Sequence, residues 1–223
     1  RVILGGPIVL SGQSLPEVDF TCGEIAAASV QEYIINVFGD GSPSVSAFSL
    51  GKDCASRVAS WAKLGASLTT QHPNYPYVVC EIETFRGCPR EHNCAFCSEA
   101  RKRVLYSRPV DDVISEVEAL YRHGNRYFRI GCQTDLFLYG AVRKDGALHI
   151  QPQVLKDLYQ GIRQAAPELR VLHMDNCNPA TLMRDPDLAA EAIGIIARYN
   201  TPGDVAAFGL ESADPQVLKA NLV

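Results

Sequence analysis

Within these 223 residues there is no run of eighteen apolar residues, which excludes a membrane-spanning helix from this stretch. No charged-then-apolar segment of the signal type occurs, and no short-period repeat or low-complexity tract. These absences set a cytoplasmic location as the expectation. Positive charge is also scarce. Lys and Arg number 21 against 25 Asp and Glu, for a formal net charge of −4. That argues against a general nucleic-acid binder, whose domains are usually basic. What the chain does have is apolar residues, at 47%, and eight cysteines. The first is enough for a sizeable core.

An even number of cysteines raises the question of a disulfide framework. Such frameworks serve short secreted chains that cannot build a core. This chain is long and apolar, and its pattern alternates strand with helix, so the thiols need another explanation.

The pattern is clearest from residue 77 onward. Strands are expected over 77–82, 127–130, 170–174 and 205–209. Between them, Val110, Val113, Ile114, Val117, Leu120 and Tyr121 recur at helical spacing, with Pro109 at the start and Gly124 at the end. Further helices are expected over 153–166, closed by Pro167, and 188–199, opened by Asp185-Pro186. Strict alternation predicts an α/β fold with a parallel sheet, either a barrel or an open doubly wound sheet. In both, the chemistry gathers at the C-terminal ends of the strands. Ahead of this region lie short strands at 2–4 and 18–20 and a helix over 23–38. Residues 39–76 are irregular, with a short helix near 55–64, and read as a connector. The chain ends in the middle of strand-like and helix-like segments, so a longer protein is expected.

The first of the four strands leads into Arg86-Gly87-Cys88-Pro89, a short spacer, and Cys94-Ala95-Phe96-Cys97. Thiolates are the soft ligands of zinc and of iron–sulfur clusters. Three of them in one loop, where a four-iron cluster normally takes four, leave one iron open to another ligand. Zinc held by the same three cysteines and His92 fits the spacing equally well, and a redox Cys-x-x-Cys would need only Cys94 and Cys97. The spacing does not choose. The position after the first strand of a βα series is a catalytic one.

This loop resembles the cluster loop of radical S-adenosylmethionine enzymes, down to the aromatic Phe96 before the third cysteine. The resemblance implies that Cys88, Cys94 and Cys97 hold a [4Fe–4S] cluster. The open iron would bind S-adenosylmethionine, whose reductive cleavage yields a 5′-deoxyadenosyl radical. The electron would come from a flavodoxin- or ferredoxin-type donor. Five residues separate the first two cysteines, where three are usual in the family. The resemblance continues over residues 77–223 as a partial (βα) barrel, incomplete here. Gly131-Cys132-Gln133 stands where the family places Gly-Gly-Glu, so the carboxylate that meets the cofactor amino group is missing; Asp135 is a candidate replacement. Glu211 and Ser212 match the family's Gly-x-Glu-Ser segment. The implied cofactor-binding residues are then Phe96, Gly131, Gln133, Asp175, Glu211 and Ser212.

Residues 1–50 resemble the C-terminal half of a Rossmann-like cobalamin (B12)-binding domain, with Gly5 and Gly6 of Gly5-Gly6-Pro7 giving the backbone close approach to cobalamin. The expected organisation is this partial domain at 1–50, a connector at 51–76 and the radical core at 77–223. Cobalamin would be a further cofactor, with methyl transfer or related C–H chemistry as the outcome. The substrate is not legible. The competing expectations are a zinc-stabilised, non-enzymatic domain and an iron–sulfur electron carrier.

Plainer readings stand beside these. Cys22, Cys54, Cys80, Cys132 and Cys177 are expected as small apolar residues. Gln133, Asp135, Asp175 and Asn176 could be ordinary loop polars. The basic residues around the loop, Arg86, Arg90, Arg101, Lys102, Arg103 and Arg108, are expected on a solvated face.

Overall fold

The structure is a computed structural model that describes residues 3–4, 20–21, 52–88, 94–97, 106–209 and 211–221. The chain divides into two compact units, Arg1–Val58 and Ala59–Val223. In the first, strands β1 (Ile3–Leu4) and β2 (Phe20–Thr21) pair in parallel. Gly5 and Gly6, and the helix expected over 23–38, lie outside the described residues. The short helix expected near 55–64 is present as α1, which covers Lys52–Gly65, and a 3₁₀ turn follows at Ala66–Gln71.

The second unit is mixed α/β around a parallel sheet. Strands β3 (Val79–Glu83), β6 (Tyr127–Gly131) and β9 (Val171–Met174) lie side by side in that order, all parallel. Helices α2 (Val110–Arg122), α3 (Pro152–Ala165) and α5 (Pro186–Tyr199) follow them in turn. Alternation along each strand sets the two sheet faces. Ile82, Phe128, Ile130 and Leu172 are almost fully buried, as are Val113 and Val117 of α2, Leu155, Leu158 and Ile162 of α3, and Ala192 of α5. Each large apolar side chain buried this way contributes about 1.5–3 kcal/mol. The other face carries Glu81, Arg129 and His173 in register across the three strands.

Helices α2, α3 and α5 form where the sequence predicts. In α2, Asp111 and Asp112 occupy the first turn, where negative charge favours the helix dipole, and Arg122 the last. Proline stands at the first helical position of both α3 and α5. Gly161 inside α3 is a packing requirement: a Cβ there would come within 2.1 Å of Ile114 Cδ1 on α2.

Four departures from the sequence expectation concern the loops and the last two expected strands. First, β4 (Phe85–Arg86) and β5 (Tyr106–Ser107) pair antiparallel across the neck of the cysteine loop. Second, a hairpin of β7 (Val142–Lys144) and β8 (Ala147–His149) is inserted between β6 and α3. Its turn is Asp145-Gly146, both at positive φ, as tight two-residue hairpins require. Third, the strand expected over 170–174 breaks at Asp175 and resumes as β10 (Asn176–Cys177), followed by a short helix α4 (Pro179–Arg184). Fourth, the strand expected over 205–209 is only β11 (Ala207–Phe208). It pairs in parallel with β10 and not with the three-stranded sheet. Ala207 N–H also reaches Asp175 O at 3.5 Å. A final helix, α6, spans Pro215–Ala220 and is capped by Asp214.

Candidate functional site

The loops after β3 and β6 of the central sheet and after the paired strands β10 and β11 converge on one cavity of about 1090 Å³. Cys88, Cys94 and Cys97 all line it, with Phe96 beside them. The neck of their loop is held firmly. Arg108 N–H donates to Thr84 O at 2.9 Å, its guanidinium donates to Glu83 O at 2.8 Å, and Tyr139 Oη donates to Arg108 O at 2.8 Å. The same guanidinium meets Glu116 at 2.7 Å. Arg108 is 8% exposed. It is therefore a clamp between the two ends of the loop and not part of a solvated basic face, contrary to the sequence expectation. Arg86 pairs with Glu83 at 2.6 Å.

The second pair of cysteines sits on a tight turn, with Cys97 N–H donating to Cys94 O at 3.1 Å. Ala95 N–H in that turn donates to Asn221 O at 3.0 Å, tying it to the end of α6. Phe96 is 58% exposed. Among the described residues, no three His, Cys, Asp or Glu side chains stand close enough together to hold one metal ion. The donor set on the cavity wall is nevertheless the soft one that a cluster with one open iron needs, three thiols from one loop.

After β6, Gln133 reaches the cavity but its amide is engaged within the protein. Thr84 Oγ1 donates to its Oε1 at 3.3 Å, and its Nε2 donates to Ile130 O at 3.1 Å. Asp135 is 2% exposed and also on the cavity wall. Its Oδ1 accepts from Phe137 N–H at 3.1 Å, and its Oδ2 has no hydrogen-bond partner. Burial pushes its carboxyl up to about 6. The Thr181 hydroxyl, the Phe137 and Asn178 amides and the Arg184 guanidinium pull the other way. Of the two Asp135 oxygens, the geometry leaves Oδ2 unsatisfied.

Gly131 lies beneath the Glu81 side chain and outside the cavity wall. Asp175 also faces away from the cavity, ion-paired with Arg129 on the open side of the sheet. Glu211 lines the cavity as an exposed carboxylate. Ser212 does not; its Oγ accepts from Asp214 N–H at 3.0 Å.

Several wall residues were not singled out from the sequence. Cys132 was expected in the core, but it is exposed and lines the cavity at a φ of 59°. Cys177 lines it too, although it is 2% exposed as expected for a small apolar residue. Cys80 is likewise buried in the core, whereas the side chains of Cys22 and Cys54 lie outside the described residues. Arg143, from the inserted hairpin, and Arg184, from the end of α4, complete the wall. No helix among the described residues is long and apolar enough to cross a membrane.

Comparison with known proteins gives relatives without an assigned activity. No family model matches the chain. An uncharacterized protein of Archaeoglobus fulgidus is 44% identical over 162 residues, 73% of this chain and 30% of the relative. An uncharacterized protein of Methanocaldococcus jannaschii is 43% identical over 166 residues, 72% of this chain and 30% of the relative. The chain thus spans about 30% of the length of these relatives. Among solved structures, the radical S-adenosylmethionine methyltransferase TsrM from Kitasatospora setae aligns at a TM-score of 0.45 and 19% identity. The alignment covers 65% of this chain and 24% of TsrM. One TsrM structure holds tryptophan and an S-adenosylmethionine analogue, and another holds cobalamin and a [4Fe–4S] cluster.

Proposed function

We propose that this chain carries the cluster-binding part of a radical S-adenosylmethionine enzyme. The observation that supports it is the meeting of Cys88, Cys94 and Cys97 with Glu211 on one cavity at the ends of parallel strands. In that reading the strands of the second unit are the first units of a partial (βα) barrel, and the chemistry sits where such folds keep it. When bound, the cluster and S-adenosylmethionine supply a one-electron cleavage of the cofactor's carbon–sulfur bond. The protein's part is to hold, orient and exclude water.

The three thiols would hold the cluster. Metal–thiolate bonds contribute folding free energy, so closure of the three sulfurs would accompany loading. Two carboxylates on the wall, Glu211 and the unsatisfied Oδ2 of Asp135, suit a cofactor bearing an ammonium and a sulfonium. Phe96, exposed on the wall, offers a flat apolar face. A cobalamin-dependent form of the reaction, transferring a methyl group, belongs to the same proposal and rests on the sequence resemblance of residues 1–50, with Gly5-Gly6-Pro7 at its centre.

The test is anaerobic reconstitution with iron and sulfide. The expected result is a four-iron cluster whose electron-spin signal changes on adding S-adenosylmethionine, with 5′-deoxyadenosine released under reduction. Cys94→Ala abolishes all three. Stoichiometric zinc with no cluster would mean a structural metal domain. A cluster indifferent to S-adenosylmethionine would mean an electron carrier.

A further inference from the structure

The inserted hairpin raises a question that the cluster reading leaves open, namely what the cavity holds besides its cofactor. Arg143 on β7 and Arg184 at the end of α4 both line the cavity. They are 41 positions apart in sequence, yet they meet on the same two strands. Arg143 is the ladder partner of Leu148, and Arg184 Nη1 donates to the carbonyl of that same Leu148 at 3.1 Å. Arg143 Nη1 donates to Gly146 O at 2.8 Å. Partners in an antiparallel ladder have Cα atoms about 4.5–5.5 Å apart, so the Arg184 guanidinium is tied to backbone that neighbours the Arg143 Cα, and the Arg143 guanidinium is tied to the turn of the same hairpin.

The scaffold beneath them is pinned as well. His149 Nδ1 lies 2.9 Å from an Asp185 carboxylate oxygen, joining the end of the hairpin to the residue after Arg184. One donor on each guanidinium is tied to the protein backbone, of the five that the group possesses. Among the described residues neither arginine is in an ion pair. Arg184 favours ionisation of the nearby Asp135 without bonding to it. A tethered guanidinium with spare donors facing a cavity is the arrangement that takes an oxyanion, because its planar fork matches carboxylate and phosphate oxygens.

We propose that Arg143 and Arg184 form an oxyanion-binding wall, and that the molecule bound here beside the cofactor carries a carboxylate or phosphate group. The wall itself stands independently of the cluster; only the identification of its occupant as the substrate rests on the function proposed above. Placing this wall on an insertion in a βα loop is consistent with loops supplying specificity on a rigid scaffold. The rival occupant is the carboxylate of S-adenosylmethionine, and the experiment separates the two.

Inorganic phosphate is titrated into the purified, cluster-free protein by calorimetry. Saturable binding is expected. Arg143→Gln and Arg184→Gln each weaken it at least fivefold, and the double variant shows none. Arg143→Lys and Arg184→Lys, which keep the charge but lose the fork, recover part of the affinity. Arg122→Gln, altering an exposed arginine paired with Glu118 on α2, leaves it unchanged. Far-UV circular dichroism checks that each variant is folded. Binding that fails to saturate, or that survives in the folded double variant, overturns the wall. In cluster-loaded protein, S-adenosylmethionine should leave phosphate affinity unaltered; full competition would overturn the substrate assignment. If no cluster forms, the function proposed above fails, while the cluster-free titration still decides the wall.

Discussion

The side chain of Glu81 lies directly over Gly131, so closely that a Cβ at position 131 would come within 2.2 Å of Glu81 Oε1. The two residues are on adjacent strands, β3 and β6, two register pairs apart along the ladder. The next residue, Cys132, is at positive φ on the cavity wall. Partial burial, and then the Glu81 and Glu83 carboxylates, push the Cys132 thiol up to about 11. The absence of a side chain at 131 therefore leaves room for a carboxylate from the neighbouring strand, which adds to burial in disfavouring the thiolate.

Removing the charge should lower the thiol pKa, since the thiolate is disfavoured by nearby negative charge. Glu81→Gln is expected to raise the alkylation rate of Cys132 by roughly three- to tenfold below its pKa, read by peptide mapping. Gly131→Ala should act in the same direction by displacing Glu81. Because Glu81 is exposed, its replacement should change stability by no more than about 0.5 kcal/mol. Unchanged Cys132 reactivity in both variants would remove Glu81 from the account.

Arg108 supplies a second prediction. Its ion pair with Glu116 is largely enclosed, with 8% and 15% of the two side chains exposed. Deleting one partner leaves the other charged and poorly solvated. Arg108→Met is therefore expected to cost about 3 kcal/mol in urea unfolding. Arg108→Met combined with Glu116→Met should recover much of that loss. If the cysteine loop depends on the clamp, the single variant also takes up less iron on reconstitution.

Gln133 supplies a third prediction. Its amide joins Thr84 on the loop side to Ile130 O in the sheet, and the residue is 2% exposed. Gln133→Ala should cost about 2 kcal/mol by leaving buried groups unpaired. Gln133→Glu keeps the length of the side chain but sets a carboxylate against the Ile130 carbonyl. It should be more damaging than Ala at pH 7.5 and milder at pH 5, where protonation returns a donor. Thermal melts at the two pH values distinguish these outcomes.

How far the site could be read from the sequence follows from how local each signal is. Helix α2 was legible because Pro109, the apolar spacing from Val110 to Leu120, and Gly124 all lie within one short segment. The cysteines were legible as a group because a single loop carries them. Cys132 and Cys177 were not, since a lone cysteine carries no local signal and only the fold brings them to the same wall. The hairpin is not legible despite Asp145-Gly146, a strong turn pair, because its strands are three residues each and Val142–Lys144 is wholly exposed. With it went Arg143, and Arg184 has no meaning apart from the hairpin it binds. The β4–β5 pairing is two residues long and is fixed by tertiary contacts such as the Arg108 clamp, not by local propensity.

Asp135 gives a prediction with a definite sign. Its carboxyl is raised to about 6 from an ordinary value of 3.8, with burial as the main cause. The folded state therefore holds a proton that the unfolded state releases between those two pH values. Stability falls as pH rises through that window and stays lower above it. A shift of this size corresponds to roughly 2–3 kcal/mol at neutral pH. Asp135→Asn keeps an oxygen to accept from Phe137 N–H and so preserves the cap of the 3₁₀ turn at Leu136–Leu138. It removes the buried charge. The variant should be more stable than the parent at pH 7.5, about equal near pH 4, and flatter between the two, as measured by urea midpoints across that range. A variant destabilised at pH 7.5 would mean that the ionised Oδ2 already has a favourable partner, and the case for its meeting a cationic ligand would be lost.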